Sequence, residues 1–349
     1  MTPYILLLIV VLAFAKVYEQ SRSRIPLLFC FLALTLLAGL RDVNVGTDSW
    51  NYYIQFHDKE LWGRFNLIEG IFSEGLFDLL VVLSQRLSNN YCSLFIIVSA
   101  IVYGISLGAI RRISMSYVIS IFVYITLGIA VFCYNGERQA IAIAIYMLSF
   151  PYIEKQNFKK YCMIVLFAAL FHRTIIVAIP LYYIFKLKFS TKTILLVIFS
   201  SSFLVLLLPT LLQYATQIDQ KYTGYMALSS GGGEYLTLAY VVMTIFFIFA
   251  RKYIEEQKRA TYDIYLLMFI SGTIVYVIVL LASLYIEISR FACYFHVSAL
   301  FIWPMIMKSK LGQQNVVVKL AFIIGHLFFM YIYYSRMSGL VPYMFNTTL

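Results

Sequence analysis

Long apolar runs separated by short clusters of Lys and Arg limit most sharply what this 349-residue chain can fold into. Runs such as 193–212 approach the roughly 20 residues that a helix needs to cross hydrocarbon. At 62% hydrophobic, against roughly 45–50% for soluble proteins, the chain has too little polar material to cover a water-exposed surface. A soluble globular enzyme is excluded. At about 20 residues per crossing plus short loops, the length predicts an all-α polytopic integral membrane protein. About 10–12 helices are expected, in a single transmembrane domain over 1–349. The apolar N-terminus has no basic region before it and reads as the first span rather than a removed signal. The five cysteines lie singly in apolar segments, without metal or redox spacing, and read as small buried hydrophobes.

A net charge of +11 would suit a nucleic-acid partner if it were spread over one surface, but its distribution argues otherwise. Most bases fall in six short clusters: 16–24, 111–112, 155–160, 186–192, 251–259 and 308–319. Short basic loops between apolar spans mark the cytoplasmic side. The charge therefore encodes orientation, and no nucleic acid is expected as a partner.

Following that rule, the first two spans form a hairpin around the first basic cluster and place 41–70 outside as an external loop. Segments 212–235 and 335–349 are expected to be external as well. Two parity conflicts remain. If 71–88 and 91–110 both crossed, Arg111 and Arg112 would lie outside, so 71–88, with Glu74, Asp78, Gln85 and Arg86, is expected not to cross. Likewise 161–185 joins two basic clusters, which predicts a re-entrant hairpin of two short helices meeting near His172 and Arg173.

Arg41, Asp48, Glu137, Arg138, His172, Arg173 and Arg290 then converge at the external ends of helices. An arginine at bilayer depth costs on the order of 3 kcal/mol, so it usually faces a cavity or a partner. Several arginines around one cavity suit phosphate, because guanidinium forks match its oxygens. Each also has a plainer reading. Arg138 could pair with Glu137 or snorkel to headgroups, and Arg290 could pair with Glu287 one turn away. His172 could be a satisfied buried histidine or a general base. Asp48 could cap a helix or act as the rival base. Tyr52 and its neighbour Tyr53 lie in an external segment where rings can stack on sugars; most of the 29 tyrosines read as interfacial or packing residues.

Several short motifs recur in order: Gly39-Leu-Arg41, Val45-Gly-Thr-Asp48 with Tyr52, Glu74, Arg138-Gln-Ala-Ile-Ala142, Ala169-Leu-Phe-His172 and Val341-Pro-Tyr343. Together they resemble the EpsG-like, Wzy-type polysaccharide polymerases of bacteria, and the resemblance covers nearly the whole chain. It implies a GT-C-like glycosyltransferase of the inner (cytoplasmic) membrane. Such an enzyme would polymerise undecaprenyl-pyrophosphate-linked oligosaccharide repeat units, as of O-antigen, at the periplasmic face. The lipid pyrophosphate activates the sugar, so no nucleotide cofactor is expected. No D-x-D motif is legible either, so no metal is expected and arginines would neutralise the leaving group. On this reading Arg138 and Arg290, helped by Arg41 and Arg173, hold the pyrophosphate, Tyr52 and Glu74 contribute to substrate binding, and His172 or Asp48 takes the acceptor proton. Donor and acceptor lipids, membrane lipid and a chain-length regulator are the implied partners. A membrane ligase or acyltransferase, or a flippase, acting on the same lipid would share this constellation. A flippase should also show internal repeats, which are not legible here.

Overall fold

The computed structural model describes residues 1–21, 23–61, 75–218 and 233–347. Helix dominates throughout. An isolated antiparallel bridge joins Arg41 and Phe345. Five helices are long and apolar enough to cross a membrane: Thr2–Ser21, Cys92–Ile113, Glu234–Tyr253, Glu256–Leu281 and Val316–Met337. A sixth results if Ile286–His296 and Ala299–Lys308, bent by 46°, count as one span. Four shorter apolar helices accompany them: Ile25–Gly39, Tyr117–Thr126, Arg173–Phe185 and Thr191–Leu207. The chain is a multi-pass, all-α membrane protein. The chain packs as two compact units.

The first unit comprises Met1–Phe150, Lys160–Ile176 and Asn315–Leu349. Thr2–Ser21 and Ile25–Gly39 form its N-terminal hairpin, and Ile25–Gly39 packs closely on Cys92–Ile113. A side chain at Gly39 would meet the Ile96 Cα at 2.9 Å, so only glycine allows the approach. The two ends of this unit differ in chemistry. At one end the Glu19 carboxylate accepts from the Ser116 hydroxyl at 2.9 Å and the Val118 N–H at 3.1 Å, and Tyr18 packs on Tyr117. That end carries the basic clusters 16–24 and 111–112. At the other end the C-terminal tail is fastened to the start of the chain. The Tyr4 hydroxyl donates to Leu340 O at 2.9 Å, the Tyr343 hydroxyl to Leu37 O at 2.6 Å, and the Asn346 N–H to Leu40 O at 2.9 Å.

Helix Gly75–Leu87 lies at this second end. Its 13 residues span about 20 Å, against about 30 Å of hydrocarbon. Near its start Asp78 accepts from the Gln55 amide at 2.7 Å; beyond its end the Tyr91 hydroxyl donates to Arg41 O, and the Asn346 amide donates to Asn90 at 3.1 Å. Both ends therefore sit beside the 41–58 segment or the tail.

The chain from 158 to 185 is also broken. Helix Phe158–Ala169 has 12 residues, a 3-10 turn covers Arg173–Val177, and helix Ala178–Phe185 has 8. At 1.5 Å per residue the helices reach about 18 and 12 Å, each too short to cross alone.

The second unit comprises Pro151–Lys159 and Val177–Gln314. Its centre is the 26-residue helix Glu256–Leu281, flanked by Thr191–Ile218 and Glu234–Ala250. Arg251 clasps Asp263 through two bonds of 2.6 and 2.9 Å. His296 is buried, with ring centroids of Tyr240 and Phe269 at 3.8 and 4.7 Å and the Thr273 hydroxyl at 3.4 Å from Nε2.

Candidate functional site

The site forms where a span is interrupted. Helix Tyr117–Thr126 gives way to a 3-10 turn over Ala130–Tyr134, Asn135 and Gly136 break the chain, and Glu137 opens helix Glu137–Met147. Glu137 in the first turn suits the positive end of the helix dipole. Nearly the whole helix is buried; Arg138 is its partly exposed member near the break.

A short helix, Ser49–His57, lies beside this break. Residues three apart share a helix face, and here Ser49, Tyr52 and Gln55 form a ladder. The Ser49 hydroxyl accepts from Arg41 Nε at 3.2 Å. The Tyr52 hydroxyl accepts from the Glu137 backbone N–H at 2.9 Å. The Gln55 carbonyl accepts from Arg138 Nη2 at 3.1 Å. Burial of the Tyr52 hydroxyl pushes its pKa well above the ordinary tyrosine value. Glu137 and Asp48 add to the shift and Arg138 opposes it, so this group stays a neutral hydroxyl. Asp48 occupies the N-cap position of the helix without capping it; its carboxylate instead accepts from the Thr47 hydroxyl at 3.1 Å.

Arg138 is held by its neighbours yet stays part-exposed. Nη2 lies 3.5 Å from Asp78 Oδ1, the guanidinium sits 4.9 Å from the Phe77 ring centroid, and the side chain keeps 26% of its surface exposed. An orientated, part-exposed guanidinium on a helix start can bind phosphate oxygens. Arg41 is the opposite case. It is 1% exposed, Nη2 pairs with Glu137 Oε1 at 2.9 Å, Nη1 donates to Ala38 O at 2.6 Å, and the Phe95 ring centroid lies 3.7 Å from Cζ. Its donors are committed within the protein. Arg41, suggested by the sequence as a helper at the pyrophosphate, is held here against the Glu137 carboxylate. Arg138, for which the sequence offered Glu137 as a partner, meets Asp78 at 3.5 Å.

Asn135 ties three segments together. Its side-chain oxygen accepts from the Thr47 N–H at 2.8 Å and its amide donates to Ser338 O at 2.9 Å, while the Gly46 N–H donates to Gly339 O at 2.9 Å. Gly46 has φ +100°, and a side chain there would meet Tyr134 O at 2.6 Å. Gly46→Ala should therefore destabilise the protein by more than about 1 kcal/mol and unseat the turn that carries Asp48. Thermal unfolding in detergent checks the first effect and polymer output the second; an unchanged midpoint would reject the strain argument.

The model of the EpsG family matches residues 24–345. The chain belongs to the EpsG family. That membership makes it a polysaccharide-polymerase-like membrane protein whose substrates are expected among lipid-linked saccharides. No curated protein and no solved structure matches the chain.

In this EpsG-family chain the structure gathers Asp48, Tyr52 and Arg138 around the Glu137 helix start. His172 and Arg173 belong to the same unit and occupy the break after helix Phe158–Ala169, both half-buried. Arg290 belongs to the second unit, half-buried in the 3-10 helix Ile286–Ala292. Glu74 lies outside the described residues. Gln55 and Asn135 escaped the sequence reading. Gln55 was findable, lying three residues after Tyr52 on the same helix face. Asn135 was not, because its partners are backbone groups at Thr47 and Ser338, far away in the chain.

Proposed function

We propose that this chain is a Wzy-type glycosyltransferase. It joins undecaprenyl-pyrophosphate-linked oligosaccharide repeat units, of O-antigen or a similar surface polysaccharide, at the periplasmic face of the bacterial inner membrane. The observation that carries the reading is Arg138: a part-exposed guanidinium, orientated by Gln55 and Asp78, at the start of a buried helix. The end of the first unit that bears it is opposite the basic clusters 16–24 and 111–112, which favours an external site by the positive-inside rule.

In the proposed reaction an acceptor hydroxyl oxygen attacks the anomeric carbon of the donor. The bond from that carbon to the pyrophosphate oxygen breaks, and the electron pair leaves with undecaprenyl pyrophosphate, whose charge Arg138 neutralises. Arg290 and Arg173 are the further cationic candidates, and Tyr52 offers a neutral hydroxyl to the sugar. His172 and Asp48 are the bases suggested by the sequence. One displacement inverts the anomeric centre.

Purified protein given its host's lipid-linked repeat units should produce a ladder of polymer with inverted linkages, read by gel and by NMR of the new bond. Net retention would reject single displacement. Transfer of units only to a non-glycan acceptor would favour a ligase, and translocation without new bonds a flippase.

A further inference from the structure

Glu137 is buried, and only half of its carboxylate is satisfied. Oε1 accepts from Arg41 Nη2 at 2.9 Å, while Oε2 is buried with no hydrogen-bond partner among the described residues. Leaving a buried carboxylate oxygen unmet is unfavourable, and more so when the group is charged. Glu137 cannot easily escape by turning, because Arg41 is itself fixed by Ala38 O, Ser49 Oγ and the Phe95 ring. A carboxylate oxygen lacks only a donor, so the ligand atom that completes it must carry an O–H or N–H. Its surroundings point to the source. The backbone N–H of Glu137 holds the Tyr52 hydroxyl from the Ser49–His57 helix, and the next residue along is Arg138, the proposed phosphate anchor.

We infer that Oε2 of Glu137 receives the hydroxyl of the acceptor sugar and takes its proton. The inference rests on the polymerase reading above and replaces its base, His172 or Asp48, with Glu137. Entry of the sugar requires Tyr52, whose hydroxyl accepts from the Glu137 N–H, to shift. As the acceptor proton passes to Oε2, the oxygen pair it leaves forms the bond to the anomeric carbon. The pair of the broken carbon–oxygen bond departs on undecaprenyl pyrophosphate beside Arg138, and the proton on Glu137 is afterwards released to water. Arg41 acts through Glu137, holding Oε1 so that Oε2 is presented.

The test is Glu137→Gln, which keeps an oxygen for Arg41 and puts a non-basic amide nitrogen in place of Oε2. With purified full-length protein, lipid-linked repeat units for turnover and undecaprenyl pyrophosphate itself as the binding probe, turnover should fall by about 100-fold or more. Affinity for undecaprenyl pyrophosphate should stay near wild type, while the lost counter-charge of buried Arg41 lowers thermal stability. A ladder from Glu137→Gln at near wild-type rate overturns the inference and leaves the polymerase reading intact; no ladder from folded wild type overturns both. Should Glu137→Gln fail to fold, Glu137→Asp retains the charge but withdraws the oxygen by one methylene. It should lose at least tenfold in turnover at unchanged undecaprenyl pyrophosphate affinity, and wild-type turnover in it would equally overturn the assignment.

Discussion

Replacing Arg138 by alanine is expected to abolish polymer while leaving the protein at its normal level. The two halves of that result have separate physical causes. Arg138 meets Asp78 at 3.5 Å, and the two side chains are 26% and 24% exposed. Part-exposed pairs of this kind contribute only about 0–1 kcal/mol, and Asp78 keeps the Gln55 amide after the arginine is gone. Folding should survive. A preorganised charge aimed at a developing anion, by contrast, typically contributes 100- to 1000-fold in rate. Lysine at 138 should restore little, because a point charge cannot reproduce a two-pronged guanidinium against pyrophosphate oxygens. Immunoblot for protein level and the repeat-unit ladder for activity read the two halves independently. Wild-type chain lengths in Arg138→Ala would remove Arg138 from the site. Arg290→Ala, in the second unit, is the matching test for the other phosphate candidate.

Arg41→Ala should do the reverse, removing folded protein rather than turnover alone. The pair it breaks has both members at 1% exposure. Removing one partner strands the Glu137 charge in the interior, at a cost of about 3–5 kcal/mol, a large share of the roughly 5–15 kcal/mol that holds a typical domain together. The Ser49 hydroxyl and Ala38 carbonyl lose their donor as well. Fluorescence-detected size exclusion should show a collapsed or absent monodisperse peak. Arg41→Met combined with Glu137→Leu removes both charges at similar volume and should recover much of that stability, since buried pairs are often replaceable by apolar ones. The recovered double variant should still make no polymer. Normal folding of Arg41→Ala would refute the buried-pair argument.

These two arginines look alike in the sequence, each following a run of apolar residues at the external end of a helix. Reading both as phosphate ligands was reasonable from position alone. Only the packing distinguishes them. The Phe95 and Tyr134 rings close over Arg41, whereas Arg138, held by Gln55 and Asp78, stays part-exposed. Likewise Glu137 is the neighbour of Arg138 in sequence yet pairs with Arg41, because successive helical residues point about 100° apart.

Hydropathy and the placement of Lys and Arg determined, by themselves, that this is a multi-pass helical membrane protein and that helices should break near His172. Those properties follow from solvation of each segment and need no partner. The tertiary structure decided what depends on contacts between distant segments. It clamps the tail at Ser338–Asn346 over the 40–48 turn, links Asn135 to Thr47 and Ser338, and buries Arg41 against Glu137. Such choices are settled by which buried donor finds which acceptor, and hydropathy does not record that pairing.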